Sequence, residues 1–102
     1  MLEIRPNCEA CNKDLPANAT QAYICSYECT FCEDCVNKVL SNVCPNCGGG
    51  FCQRPIRPTH ERRDGVSLTQ QPASTNRVHT KYSHKELQAF AQLTKAIKPE
   101  DR

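Results

Sequence analysis

The sequence predicts a small, metal-stabilised α+β fold followed by a polar linker and an amphipathic helix. Three observations predict it. Eight of the nine cysteines form four close pairs between Cys8 and Cys47. Residues 22–42, AYICSYECTFCEDCVNKVLSN, have the pattern of a hairpin running into a short helix. The last twenty residues hold a helix-start signal and an apolar stripe.

Size and composition bound the reading. A chain of 102 residues makes one domain, or a small domain with a tail. No stretch is long and apolar enough to span a bilayer, and the start MLEIRPNCEA has neither the basic nor the apolar region of a secretion signal. The expected compartment is the cytoplasm, where thiols stay reduced, and an odd number of cysteines fits a fully paired disulfide scaffold poorly. All nine cysteines lie in residues 1–52, which hold three basic and six acidic residues. Residues 53–102 hold ten basic and five acidic residues. Ligating cysteines are thiolates, so eight of them on two divalent ions take the formal net charge from +2 to −2. The basic pI of the free chain is therefore no argument for a nucleic-acid partner.

The ladder reads Cys8-x2-Cys11, Cys25-x3-Cys29, Cys32-x2-Cys35, Cys44-x2-Cys47, then Cys52 alone. Each pair clamps one side of a tetrahedral ion, and two pairs complete a four-cysteine site. All eight are candidate zinc ligands. A thioredoxin-type CxxC needs a βαβ context that this short segment lacks. A nucleophilic cysteine needs a base, and His60, His79 and His84 all lie far along the tail. Thiolates also serve iron–sulfur clusters, so ligand type alone leaves iron open. The turn Cys44-Pro45-Asn46-Cys47-Gly48-Gly49 favours a zinc knuckle.

Two pairings are open: adjacent pairs sharing an ion, or interleaved pairs. Local structure favours interleaving. Tyr23, Ile24 and Phe31 mark a hairpin. Glu33 and Asp34 then open a helix whose Val36, Val39 and Leu40 share a face. Knuckle, hairpin and helix make a treble clef, whose ion takes the knuckle and the helix start. That assigns Cys8, Cys11, Cys32 and Cys35 to one zinc. Cys25, Cys29, Cys44 and Cys47 go to the other.

The run from Cys8 to Cys47 resembles a RING-type cross-brace in an all-cysteine form, with Cys29 where most RING domains have histidine. Residues 1–58, with MLEIRPNCEAC, DLP, ICSYECTFCEDC and VCPNCGG, also resemble a family of short bacterial cysteine-rich proteins of no assigned function. The resemblance implies a RING-like two-zinc fold and no activity. RING ligases dock a conjugating enzyme through an apolar residue after the first cysteine, and often use a basic one after the last. Here those places hold Glu9 and Gly48.

Structural ions also answer an energetic need. Apolar residues in the first half are few: Leu2, Ile4, Leu15, Tyr23, Ile24, Phe31, Val36, Val39, Leu40, Val43 and Phe51. A core that small nets only a few kcal/mol, whereas one structural zinc supplies roughly 10–16 kcal/mol in finger peptides. Four thiolates close the coordination sphere, so neither ion is expected to be catalytic. Cys52 is expected as a half-buried residue on a GFCQRP strand.

Residues 59–82 are expected to be a polar linker. Arg54, Arg57, Arg62 and Arg63 form a basic cluster diluted by Glu61 and Asp64, more in keeping with a solvated segment than a phosphate site. Residues 83–98 are expected to form a helix. Ser83 and Glu86 make a capping box, Leu87, Phe90, Leu93, Thr94 and Ile97 form its stripe with Ala91 at the edge, and Pro99 stops it. Such a helix folds back on the zinc domain, pairs with a second copy or binds another protein. The expected function is a non-enzymatic zinc module for protein interaction. The alternatives are nucleic-acid binding through the arginine linker and, less favoured, a ubiquitin-ligase-like adaptor.

Overall fold

In the computed structural model, which describes all 102 residues, the hairpin forms where Tyr23, Ile24 and Phe31 mark it. Strand β1 (Ala22–Ile24) pairs antiparallel with β2 (Thr30–Cys32), Tyr23 opposite Phe31. Strand β3 (Cys52–Gln53) closes the other edge of β1, giving the order β2-β1-β3. Helix α1 (Glu33–Lys38) follows β2 without a loop, and its first turn carries Glu33 and Asp34 at the positive end of its dipole.

The core lies between sheet and helix. Phe31, Leu15, Leu40, Val36 and Ala22 are buried there together with Cys8, Cys25, Cys29, Cys32, Cys35 and Cys44, and Phe31 packs edge-on against Phe51 with ring centroids 5.3 Å apart. Cys52 is exposed rather than half-buried, since nothing covers either residue of the two-residue strand β3.

The tail departs from expectation. Residues 59–82 contain no helix or named strand, yet they are bound along the first half. Ser74 N donates to Ile4 O (2.9 Å) and Thr80 N to Glu9 O (2.7 Å). Asn7 Nδ2 donates to Val78 O (2.8 Å), and Arg77 pairs with Asp14 (2.8 Å). The radius of gyration, 14.4 Å, is near the ~13 Å of a folded chain of this length and far from the ~30 Å of an unfolded one.

Helix α2 (His84–Thr94) starts at the expected capping box, Ser83 Oγ accepting from Glu86 N and Glu86 accepting from Ser83 N. It ends earlier than residue 98. Its C-cap is Lys95, and a short 3-10 turn occupies Pro99–Asp101. The buried face is also shifted. Leu87 and Ala91 are buried, Phe90 is on the rim at 38% exposure, and Leu93 is 80% exposed. A small residue at 91 lets the helix backbone approach the domain, which a large one would prevent. Leu87 joins the same buried cluster as Cys8, Cys35 and Val36. Leu87→Ala is expected to cost about 2–4 kcal/mol and to release α2. Amide exchange should then accelerate across residues 84–94 while residues 22–38 keep their protection. No helix is long and apolar enough to cross a membrane.

Candidate metal centres

Three tight turns and one strand–helix junction present the cysteines. In the first, Asn12 N returns to Cys8 O (2.8 Å) and Asn12 takes a left-handed φ of 64°. In the last, Gly48 N returns to Cys44 O (2.7 Å) and Gly48 has a φ of 80°, a conformation that favours glycine. The hairpin turn places Cys25 and Cys29 on either side of Glu28, whose φ is 67°. Cys32 ends β2, and Cys35 sits in the first turns of α1.

These turns bring the pairs together in an interleaved way. The sulfurs of Cys8, Cys11, Cys32 and Cys35 all lie within 4.8 Å of one another. Cys11 and Cys32 are 3.8 Å apart. A regular tetrahedron with Zn–S bonds of 2.3 Å has edges of about 3.8 Å, so the first cluster fits a tetrahedral thiolate-bound ion. The second cluster holds Cys25, Cys44 and Cys47 within the same limit. Cys29 stands outside that mutual set; its sulfur lies 3.4 Å from Asn46 Nδ2, in the turn between Cys44 and Cys47. Backbone N–H groups also point at the sulfurs: Cys11 N at Cys8 (3.5 Å), Tyr27 N at Cys25 (3.3 Å) and Gly49 N at Cys47 (3.4 Å).

The thiols' acidities show what each cluster demands. The hydrogen bond from Cys35, aided by backbone N–H groups, draws Cys8 down to about 4, and the same bond pushes Cys35 up. In the second cluster the bond from Cys44 draws Cys29 down to about 5 and pushes Cys44 up. Burial lifts Cys25 to about 11. Without a cation, stabilising one thiolate in a cluster works against ionising its neighbours. A divalent ion at the centre removes that conflict, because coordination deprotonates a thiol outright.

Beside the clusters lie interior polar groups that no local sequence pattern marks. Glu9 is 2% exposed, and Arg5 Nη1 bonds it at 2.7 Å. Burial raises the Glu9 carboxyl above the ordinary range, against the pull of Thr30 N–H and Arg5. Arg54 is also buried, so it does not belong to a solvated basic cluster. His60, His79 and His84 join neither cluster.

Fold and site together define a small α+β protein with two cysteine clusters able to hold metal ions. The chain belongs to the DUF1272 family, whose members are described as proteins of unknown function and whose model matches residues 1–57. An uncharacterised protein of Rhizobium meliloti (strain 1021) is 49% identical over 78 residues, covering 76% of this chain and 86% of the relative. That alignment is longer than the family match, so the likeness extends beyond residues 1–57. No solved structure matches the chain.

Proposed function

We propose that this protein is a structural zinc module without catalytic activity of its own. Its RING-like, treble-clef cross-brace places Cys8, Cys11, Cys32 and Cys35 on one ion, and Cys25, Cys29, Cys44 and Cys47 on the other. It acts in the cytoplasm by presenting a rigid surface to a protein partner or to a second copy. The observation that carries this reading is the gathering of the first pair with the third, and of Cys25 with the fourth. Four thiolates per ion leave no position for a reacting water, and no histidine or carboxylate joins either set. Zinc fits tetrahedral thiolates and performs no redox chemistry.

The surface offered to a partner is the outer side of α2. There Phe90 and Leu93 border a cleft with Tyr82 and Pro45, of about 320 Å³. Nucleic-acid binding has less support. Arg54 and Arg57 are committed to backbone carbonyls, which leaves Arg62 and Arg63 of the cluster. Docking of a conjugating enzyme has less support too, because Glu9 faces inward.

Mass spectrometry of the native protein should find two zinc ions per chain. Cadmium–cysteine NMR should connect Cys8 with Cys32 and Cys25 with Cys44. Cys52→Ser should leave the stoichiometry at two. A single ion per chain, or Cys8 and Cys25 on one ion, rules the arrangement out.

A further inference from the structure

Glu9 lies in the first knuckle, between Cys8 and Cys11, with its carboxylate turned inward. Its Oε2 accepts from Thr30 N (2.6 Å) and from Arg5 Nη1 (2.7 Å). Its backbone N donates to Thr30 O (2.9 Å). Thr30 directly follows Cys29 and lies two residues before Cys32, so it joins the two clusters along the chain. Glu9 Oε1 faces Asn46 Nδ2 at 3.5 Å, and the same nitrogen lies 3.4 Å from Cys29 Sγ. Asn46 itself sits between Cys44 and Cys47. One amide group thus directs its two hydrogens at a carboxylate from the first knuckle and at a sulfur beside the second cluster. Both neighbours are acceptors, which fixes the nitrogen, not the oxygen, toward them.

We propose that Glu9 and Asn46 are positioning residues that couple the two metal centres, so that filling either raises the affinity of the other. The inference rests on the two-ion reading above. An ion in the second cluster fixes Cys29 and the Asn46 turn. Through the amide and Thr30 N–H these orient Glu9, and Glu9 holds the knuckle that carries Cys8 and Cys11. The coupling is reciprocal, because affinities linked through one element must change each other equally. Loaded clusters are anionic, so a carboxylate between them needs a counter-charge. Arg5 supplies it, and its charge also reaches Cys29.

The chemistry calls for an acid at position 9. In Glu9→Gln, the amide oxygen can still serve Thr30 N and Arg5. Its NH2 then meets the NH2 of Asn46, which must turn away and give up the sulfur. Asn46→Ala removes the same contact at an exposed position, so it leaves the fold intact.

The test is zinc titration of the full chain against a competing chelator, followed by native mass spectrometry. Wild-type protein at half saturation should be a mixture of empty and two-ion chains with little one-ion species. Asn46→Ala and Glu9→Gln should populate a one-ion species, with the second site weakened about 10–100-fold. Cadmium connectivities should place that ion on Cys8 and Cys32. Two-ion wild-type protein that fills through a populated one-ion form, or whose Asn46→Ala variant still loads all-or-none, overturns the coupling alone. Wild-type protein that binds no ion overturns the two-ion reading and the coupling with it.

Discussion

Removing the metal with a strong chelator is expected to unfold the entire chain in one step. Each structural zinc contributes roughly 10–16 kcal/mol in comparable peptides, as much as the full net stability of an ordinary domain at about 5–15 kcal/mol. The sheet alone cannot survive that loss, because its strands are three, three and two residues long. α1 cannot either, with six residues. The tail should follow. The hydrogen bonds from residues 59–82 to the first half end on Glu3, Ile4, Asn7, Glu9 and Asn12, in the first knuckle and the segment before it. α2 has eleven residues, below the ~12–15 at which an isolated helix is even marginal in water. The dispersed amide spectrum of residues 1–58 and the helical signal of 84–94 should therefore vanish at the same chelator concentration. Restored zinc should return both together. Dispersion that persists after the ions are gone means that the apolar cluster around Phe31 suffices, and the metal is then incidental to the fold.

The hairpin, α1 and the α2 cap were readable in the sequence because each is set locally. Tyr23, Ile24 and Phe31 mark short strands on either side of the Cys25–Cys29 turn, and Ser83 and Glu86 sit at capping-box spacing. The interleaving followed from the order of those elements. The course of residues 59–82 was not readable. That segment is held by backbone bonds such as Ser74 N to Ile4 O, which leave no periodic pattern in side chains. The docked face of α2 was misjudged for a related reason. Apolar size points to Phe90 and Leu93, whereas close approach selects Ala91, and only the partner surface decides between them. The sequence puts Arg54 in a solvated basic cluster and marks Glu9 only as a departure from the RING docking pattern, because charge pattern says nothing about inward carbonyls and N–H groups.

Arg54 gives the second large expected effect. It follows β3, and its side chain is 1% exposed. No carboxylate pairs with it; instead Nη1 donates to Arg5 O (2.8 Å), and Nη2 to Pro16 O (3.0 Å) and Leu15 O (3.4 Å). Burial works against its charge and lowers its pKa. The planar guanidinium suits this place because it reaches two separate chain segments at once, the one before the first knuckle and the one after it. Lysine offers a single point charge and cannot bridge both. Arg54→Ala leaves three carbonyls without their donor and opens a cavity beneath them. Denaturation of the zinc-loaded protein should show a loss of about 3–5 kcal/mol. Arg54→Lys should recover only part of it. Arg57→Ala is the useful contrast. That guanidinium is half-buried and joins Leu2 O to Gln71 O, tying the tail down rather than filling the interior, so about 1–2 kcal/mol is expected. Zinc stoichiometry should remain at two in all three variants, since none of these arginines bonds a clustered cysteine. An Arg54→Ala protein within 1 kcal/mol of wild type would mean that water replaces the guanidinium at no cost, and that the two segments around the first knuckle are held by the metal alone.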